Sequence, residues 1–494
     1  MTTSKKPTTS YPRSPCLTLT ALVLLSALFF QWVFGTNKDY LRSNTKNVNR
    51  PIQYHGHGIN SNFFEGWYFK LVKDNDSPSL PQNLDAMAII VGIYRPPSES
   101  DQNGAHAFVI PLGLPGPEKV AYYRFSTDEF IDLASNVPSQ DFRVQLGNSL
   151  LAHDEIVLDL PIDKFDRIPA EELESFYAVA SSEYETQYQD SETSQPNKVS
   201  SGFFRDLFPS SDQLKVQEAQ QPFAIKGHFK FPGKTQTPLP TSPLVPSIMG
   251  FIQYIPFLEC NHGVSSLHHP IQEGRISTLD NKNTILATAI FDGGVGYTEK
   301  DWGINFPSTW VWTQTNIFKN APGSSMLFSL ASIPVLGPDA VDWVKAKVPF
   351  AAPLVNVPGR LMVYYHAKTK TLYNFSSYMA FARIKHVGVT LNVDQRSQTL
   401  SVRATTIDPT NIFERISLEF NVTREIGTGA PLRAPSRAKG AMVTAVEETI
   451  MGHTSIKLWR VRSGEVIVED EGIGSGLEIV GDIRWLEKRL KPWF

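Results

Sequence analysis

The sequence has little of what marks several common protein classes. It contains two cysteines in 494 residues, which is too few for a disulfide framework. Its formal net charge is −3 and no basic run exceeds two residues, whereas nucleic-acid-binding domains normally carry a basic excess. It has no GxSxG nucleophile motif and no glycine-rich nucleotide-binding motif. These absences exclude a disulfide-rich scaffold and predict that nucleic acid is not a partner.

Charge is also absent from the segment Cys16–Gly35, CLTLTALVLLSALFFQWVFG, which follows Lys5, Lys6 and Arg13. About twenty apolar residues span a bilayer as a helix. The run is longer than the ~7–15 residues of a signal-peptide core and ends in bulky aromatic residues. We therefore expect a single-pass anchor in the membranes of the secretory system. The alternative is cleavage after Gly35, which leaves a secreted or lumenal protein.

The rest of the chain has a strand-like pattern. Phe223–Phe231 and Ile416–Thr423 alternate apolar and polar residues, and the chain has 32 glycines and 35 prolines. Alternation with frequent turn residues predicts an all-β fold of antiparallel barrels or sandwiches, preceded by the N-terminal hydrophobic helix. The sequons at Asn374 and Asn421 predict glycosylation if this part is lumenal.

Composition also divides the chain. Residues 1–50 form a tail, and the proline-rich stretch Pro232–Pro246 resembles a linker, so the predicted domains are 51–245 and 246–494. Pro169–Ser181 favours a short helix, and residues 182–211 are predicted to be a mobile insertion. The apolar, proline-rich stretch Ile333–Pro358 suits a lid, a membrane-dipping loop or a packed insertion.

One candidate site lies in Asn62–Lys70, NFFEGWYFK. Alternation places Glu65 on one face with Trp67, and Tyr68 on the other. A carboxyl group among aromatic rings is costly to ionise, so we expect a raised pKa and a role for Glu65 as proton donor. The alternative is a structural Glu65 that points to water or pairs with an arginine.

A second candidate site lies in Gly293–Asn316, GGVGYTEKDWGINFPSTWVWTQTN. Acids and tryptophans together suit chemistry that passes through a carbocation, because indole faces attract cations. The alternative is a solvated turn followed by core tryptophans. The residues concerned are Glu299, Lys300, Asp301, Trp302, Trp310, Trp312, Gln314 and Asn316.

Histidines give a weaker signal for metal binding. No HExxH motif or Cys/His spacing accompanies them, so we predict no metal site. The candidates considered are His55, His57, His262, His268 and His269.

Both candidate stretches resemble signatures of the tocopherol cyclase family. NFFEGWYFK resembles its FFEGWYFK-type motif, YTEKDWGINFPSTWVWTQTNIF resembles its SEKNWG-to-WxWxQxNxF block, and Gly429–Pro435 (GAPLRAP) resembles a third segment. The matches occur in the family's order and extend from about residue 55 to 482. Where plant members carry a plastid transit peptide, this chain has the hydrophobic segment.

The resemblance implies a pair of lipocalin-like antiparallel barrels and acid-catalysed ring closure of a prenylated hydroquinone or a related isoprenoid lipid, without a cofactor. It implies Glu65, Glu299 or Asp301 as proton donor. The substrate would be held by Trp67, Tyr68, Lys300, Trp302, Trp310, Trp312, Gln314 and Asn316. The alternative function is a lipocalin-like carrier that binds the lipid without changing it.

Overall fold

The structure, a computed structural model, describes most of the chain after the N-terminal tail. The described residues are 52–74, 84–97, 104–116, 118–134, 142–189, 202–232, 248–249, 258–334, 347, 356–379, 381–436 and 439–490. The predicted anchor Cys16–Gly35 and most of the stretch between Ile333 and Pro358 lie outside these ranges. Within them, no helix combines the length and apolar character needed to cross a bilayer.

Twenty-four strands make up the body of the described residues. Strands β1 to β8 are Phe63–Asp74, Leu84–Arg95, His106–Leu112, Tyr123–Phe125, Phe130–Asp132, Arg143–Leu146, Ser149–Ala152 and Glu155–Leu160. Strands β9 to β16 are Ala224–Lys230, Cys260–Pro270, Glu273–Leu279, Ile285–Ile290, Val295–Gly303, Trp310–Thr315, Ile317–Phe318 and Ser325–Pro334. Strands β17 to β24 are Asn356–His366, Thr371–Asn374, Arg383–Asn392, Ser397–Asp408, Asn411–Glu425, Ala430–Ser436, Ala441–Arg460 and Val466–Val480.

These strands form three sheets in which the pairing is antiparallel. Sheet I has the order β10-β13-β1-β2-β3-β4, and sheet II has the order β12-β11-β9-β8-β7-β6-β5. Sheet III has the order β18-β17-β16-β14-β24-β23-β21-β20-β19, with β15 beside β24 and β22 beside β23. The predicted all-β fold is confirmed.

Sheet I is buried on both faces. One face packs on sheet II in a core that includes Trp67 and Phe229. The other face packs on sheet III in a core that includes Tyr68 and Trp312. Sheet III curls around a further core on its opposite side, which includes Phe420. Successive residues of β1 and β13 therefore point alternately into the core next to sheet II and the core next to sheet III.

The pattern read from the sequence is confirmed in detail at β9 and β21. Phe229 and Ile225 are buried in β9 while Lys226 and His228 face solvent. Ile416, Leu418, Phe420 and Val422 of β21 are all fully buried. In the two sequons, Asn374 donates to the hydroxyl oxygen of Tyr378 at 3.1 Å and Asn421 donates to that of Ser455 at 3.3 Å.

Three helices of at least one full turn accompany the sheets in the described residues: α1 (Ala170–Gln189), α2 (Ser211–Glu218) and α3 (Ile483–Leu490). The helix predicted over 169–181 is present but continues to Gln189, and a short 3₁₀ turn follows at Arg205–Leu207. At the two ends of the stretch 182–211, which the sequence predicts to be a mobile insertion, Tyr184 and Phe204 pack into a buried cluster beside β19.

The sheets do not divide at residue 245. Strands β10 and β13 pair with the N-terminal strands of sheet I, and β11 and β12 extend sheet II. The change to sheet III falls between Gly303, which ends β13, and Trp310, which begins β14. The proline-rich stretch that suggested a linker thus connects strands of the same pair of sheets.

Candidate active site

The register of β1 and β13 decides which candidate residues share a face. Glu65 lies opposite Trp302 and Trp67 lies opposite Lys300, and these side chains point toward sheet II. Tyr68 lies opposite Glu299, and these two point toward sheet III. Among the three acids that the sequence suggested as proton donors, Glu65 is therefore separated from Glu299 and Asp301 by the backbone of sheet I.

A cavity of about 480 Å³ lies between sheets I and III. Aromatic and aliphatic side chains form most of its wall, including Phe64, Phe108 and Leu361. Five of the predicted site residues line it: Tyr68, Glu299, Asp301, Trp310 and Trp312. A largely apolar cavity with a few convergent polar groups is the usual form of a small-molecule site.

Glu299 is the most strongly engaged carboxyl group in this cavity. Its Oε2 accepts hydrogen bonds from the Tyr297 hydroxyl and from Nε1 of Trp312, the latter at 3.0 Å. Burial raises the pKa of Glu299, the positive charge of His262 lowers it, and the result is about 7. Near neutral pH both the acid and the carboxylate are populated, which is the condition for efficient proton transfer.

His262 bridges Glu299 and Asp301. Its Nδ1 lies 3.0 Å from Oδ1 of Asp301, and its Nε2 lies 3.3 Å from Oε2 of Glu299. Burial lowers the pKa of His262, but the two carboxylates outweigh that effect and raise the pKa to about 9. His262 is therefore an imidazolium at neutral pH, and its positive charge favours the carboxylate form of Glu299. The sequence drew attention to His262 only as a weak metal ligand.

The same three residues are close enough to hold a cation, since their ligand atoms lie within 4.8 Å of one another. Metal ligation needs a neutral imidazole nitrogen. With both ring nitrogens of His262 directed at carboxylates and its pKa raised to about 9, protonation competes with a metal ion at neutral pH. The arrangement suits proton transfer better than metal binding.

Two further carboxyl groups, which the sequence did not suggest, lie on the sheet III side. Glu448 and Glu478 face each other across β23 and β24, and Glu478 lines the cavity. Tyr68 donates to Oε1 of Glu448 at 2.5 Å, and Nε1 of Trp310 donates to Oε2 of Glu478 at 2.7 Å. Burial and the facing acid raise the pKa of Glu448 well above its ordinary value.

Glu478 behaves similarly, because burial raises its pKa to about 7. The only signal in the sequence is an acid between Leu477 and Ile479, in the apolar last residues of the strand. That signal is weak alone, since Glu478 is more than 160 residues from the tryptophans that define the site. The cavity therefore holds an ionisable acid on each of its two walls, Glu299 and Glu478.

Gln314 and Asn316 lie deeper between the two sheets and do not line the cavity. Nζ of Lys70 donates to the side-chain oxygen of Gln314 at 2.7 Å, and burial lowers the pKa of Lys70 to about 7. Asn316 donates to the backbone oxygen of Gly296 at 3.1 Å. Both residues join sheet III to sheet I, so the prediction that they orient a substrate is not supported by their position.

Glu65 and Lys300 form a fully buried ion pair on the opposite face. Backbone N–H groups of His55 and Gly56 also donate to Glu65, at 2.9 to 3.2 Å. Burial raises the pKa of Glu65, but Lys300 and His55 outweigh it, and the pKa is lowered from its ordinary value. The prediction of a raised pKa at Glu65 is wrong, because a lysine from β13 pairs with it.

Trp67 and Trp302 enclose this ion pair. Nζ of Lys300 lies 4.9 Å from the ring centroid of Trp67 and 4.8 Å from that of Trp302. The His55 ring stacks on Trp302 at 4.3 Å. The predicted cation–aromatic contact thus exists, but the cation is the protein's own lysine. None of Glu65, Trp67, Lys300 and Trp302 contributes to the cavity wall.

Comparison with known proteins agrees with the motifs. The family described as tocopherol cyclase-like matches residues 61–348, which is more than half of the chain. The chain belongs to the tocopherol cyclase-like family. The matched range contains β1, β10, β13 and β14, which carry the cavity residues Tyr68, His262, Glu299, Asp301, Trp310 and Trp312.

Two plant relatives of this chain have low sequence identity to it. A protein of Oryza sativa subsp. japonica named probable tocopherol cyclase, chloroplastic, is 22% identical over 208 residues, covering 41% of this chain and 35% of that protein. The tocopherol cyclase, chloroplastic, of Zea mays is 20% identical over 457 residues, covering 89% of this chain and 77% of that protein. The chain thus spans about a third of the rice protein and three quarters of the maize protein.

Solved structures with a similar arrangement of strands are more distant still. The crystal structure of CghA is 9% identical with a TM-score of 0.38, covering 85% of this chain and 89% of that one. The kievitone hydratase from Nectria haematococca is 8% identical with a TM-score of 0.34, covering 88% and 92%.

Proposed function

We propose that this protein closes a ring on a prenylated hydroquinone, or on a closely related isoprenoid lipid, by acid catalysis in the cavity between sheets I and III. The observation that carries the proposal is Glu299. Its carboxyl group titrates near pH 7, contacts a histidinium and lies among aromatic rings that line a cavity of about 480 Å³.

The reaction needs one proton and returns it. Glu299 transfers its carboxyl proton to the side-chain double bond nearest the ring, which leaves a tertiary cation. The neighbouring phenol oxygen forms a C–O bond to that cation and releases its own proton to the carboxylate. Substrate and product are isomers, so no oxidant or second reactant is consumed.

The cavity also meets the second requirement, which is protection of the cation. Trp310, Trp312 and Tyr68 line the wall beside the acids, and the face of an indole ring stabilises a nearby cation by about 0.5–2 kcal/mol. His262, held between Glu299 and Asp301, places a positive charge beside Glu299 that stabilises the carboxylate formed when the proton is transferred. Lys300 and Glu65 take no part, because they pair on the other face of sheet I.

Replacement of Glu299 by glutamine tests this assignment. Glu299→Gln keeps the size and the hydrogen bonds from Trp312 but has no proton to give, so turnover of a geranylgeranylated or phytylated quinol should fall by about 100-fold or more. The product is recognised as a compound of unchanged mass and altered chromatographic retention. Glu419→Gln, on the exterior of β21, is the control and should retain full activity.

Binding of the quinol by the unaltered protein without any mass-neutral product would support the carrier function instead. We favour the enzyme because a carrier has no need for an acid that titrates near neutral pH beside a histidinium. Full activity of Glu299→Gln would remove the residue from the reaction and would refute proton transfer from this carboxyl group.

We also propose that Cys16–Gly35 anchors the protein in a membrane of the secretory system, on the basis of its twenty uncharged residues. Extraction of isolated membranes with alkaline carbonate tests this. An anchored chain stays with the membranes, and release of the intact chain into the supernatant would contradict the proposal.

A further inference from the structure

An exposed apolar cluster lies at one end of sheet III. Phe413, Ile412 and Phe381 are 87%, 72% and 63% exposed. Phe413 and Ile412 lie at the start of β21, and Phe381 precedes β19. Phe381 has a φ of 67°, in the left-handed region that bulky residues rarely adopt. Large apolar side chains held in water together commonly mark an interaction surface.

One member of the cluster, Phe381, lies on a loop that is connected to the strand at the mouth of the cavity. Val357 and Ser377 line the cavity and are exposed to solvent, which locates its opening. Arg360, another lining residue, donates from Nη2 to the backbone oxygen of Ala382 at 3.4 Å. The loop that carries Phe381 is therefore attached directly to the cavity wall.

The charged side chains around the cluster are mostly basic. Arg383, Arg415 and Arg462 are exposed, and Nη2 of Arg415 donates to the backbone oxygen of Phe381 at 3.0 Å. Glu414, which lies between Phe413 and Arg415, is buried, and its carboxylate accepts backbone N–H groups of Arg415 and Arg462. Aromatic and aliphatic side chains ringed by arginines are complementary to a bilayer surface that contains anionic lipids.

We propose that the docking surface formed by Phe381, Ile412, Phe413 and the arginines Arg383, Arg415 and Arg462 inserts into the headgroup region of an anionic membrane. In that orientation the mouth at Val357 and Ser377 faces the bilayer, so a lipid substrate enters the cavity without crossing water. The part of the proposal that concerns substrate entry rests on the proposed function, whereas insertion itself does not.

Insertion is measured with an environment-sensitive fluorophore on the full chain. Cys16 and Cys260 are replaced by alanine, and an NBD group is attached at Phe413→Cys in protein reconstituted into vesicles of phosphatidylcholine and phosphatidylserine. We expect blue-shifted emission and strong quenching by doxyl-labelled lipid. The same label at Val216→Cys, on the exposed side of α2, should stay unquenched.

Emission typical of water and no quenching at position 413 would overturn the proposal. A blue shift that lipid-borne quenchers do not affect and that is lost on dilution would also overturn it, because a second copy of the chain would then cover the cluster. Both labelled proteins contain residues 16–35, so any attachment to the vesicle through that segment is the same in both. The difference in quenching between positions 413 and 216 therefore reports insertion of the docking surface.

A double variant separates membrane docking from catalysis. Ile412→Ser/Phe413→Ser should lower conversion of quinol embedded in anionic vesicles by about 10-fold and leave conversion of detergent-dispersed quinol unchanged, with Val216→Ser as the control. An equal rate on vesicles would contradict the role in substrate entry. Absence of turnover in the unaltered protein would instead contradict the proposed function. The quenching experiment would still test membrane insertion, because it does not depend on activity.

Discussion

Glu65 and Glu299 lie on opposite faces of the same two-stranded ladder. Glu65 is paired in register with Trp302, and Glu299 with Tyr68, three positions further along β1. An odd offset along a strand reverses the side to which a side chain points. One acid is therefore a carboxylate held by Lys300 in the core next to sheet II. The other is an acid of raised pKa in the cavity next to sheet III.

Glu65→Gln should affect stability and not chemistry. It leaves the ammonium group of Lys300 buried without its partner, and removal of one member of a buried ion pair typically costs about 3–5 kcal/mol. Urea unfolding at pH 6 and pH 9 measures the loss. The loss should be larger at pH 6, because burial lowers the pKa of Lys300 and only Glu65 and neighbouring acids oppose that effect. Without Glu65 the folded protein must bury the charge or give up a proton that the unfolded chain keeps, and this cost shrinks as the pH rises to 9.

The double variant Glu65→Gln/Lys300→Met is the matched control. It should regain part of the stability, since neither charge is then left alone. Turnover per folded molecule should stay within about threefold of the parent in both variants. A 100-fold loss in folded Glu65→Gln protein would contradict the placement of Glu65 outside the active site.

The pH dependence of turnover should follow Glu299. The acid form is the proton donor, so the rate constant should be constant at low pH and fall as the pH rises through about 7. In His262→Gln the falling limb should move to higher pH, because the positive charge that lowers the Glu299 pKa is gone. The measurement is kcat against pH for both proteins with saturating quinol. An unmoved limb, or one that moves to lower pH, would show that another group sets the profile.

Glu478 should impose a pH dependence on stability. Its folded-state pKa is raised to about 7 from an ordinary value of 4.5, so between these values the folded protein binds more protons than the unfolded chain. Stability must then fall as the pH rises from 4.5 to 7. Glu478→Gln removes this contribution and should be more stable than the parent by about 1–3 kcal/mol at pH 8. Urea unfolding between pH 4.5 and 8 measures the free energy of unfolding of the parent and of Glu478→Gln as a function of pH. If the two plots run parallel, the pKa of Glu478 is not raised in the folded protein.

The local facts about the site were predictable from the sequence. The placement of Glu65 with Trp67 on one face of a strand, and of Tyr68 on the other, follows from the period of two and is what the structure has. The acids and tryptophans of β13 and β14 were also recognisable, both as a pattern and as a resemblance to one family. Five of the eleven residues singled out line the cavity.

The partners of those residues were not predictable. Lys300 reaches Glu65 from a strand 235 positions later in the chain, and together with His55 it reverses the direction of the expected pKa change. Glu448 and Glu478 join the cavity from β23 and β24 at the other end of the chain. An ionisation state depends on charges within a few ångströms, and sequence distance gives no measure of that separation.

By itself, the sequence determined the strands, the side to which each residue points relative to its neighbours, and the family. Only the tertiary structure decided which side is the cavity. Sheet I is covered by sheet II on one face and by sheet III on the other, so apolar residues occupy both faces of β1. A hydrophobic pattern separates a buried face from a solvated one, but it cannot separate two buried faces. The ion-paired Glu65 and the cavity-lining Glu299 lie on those two faces.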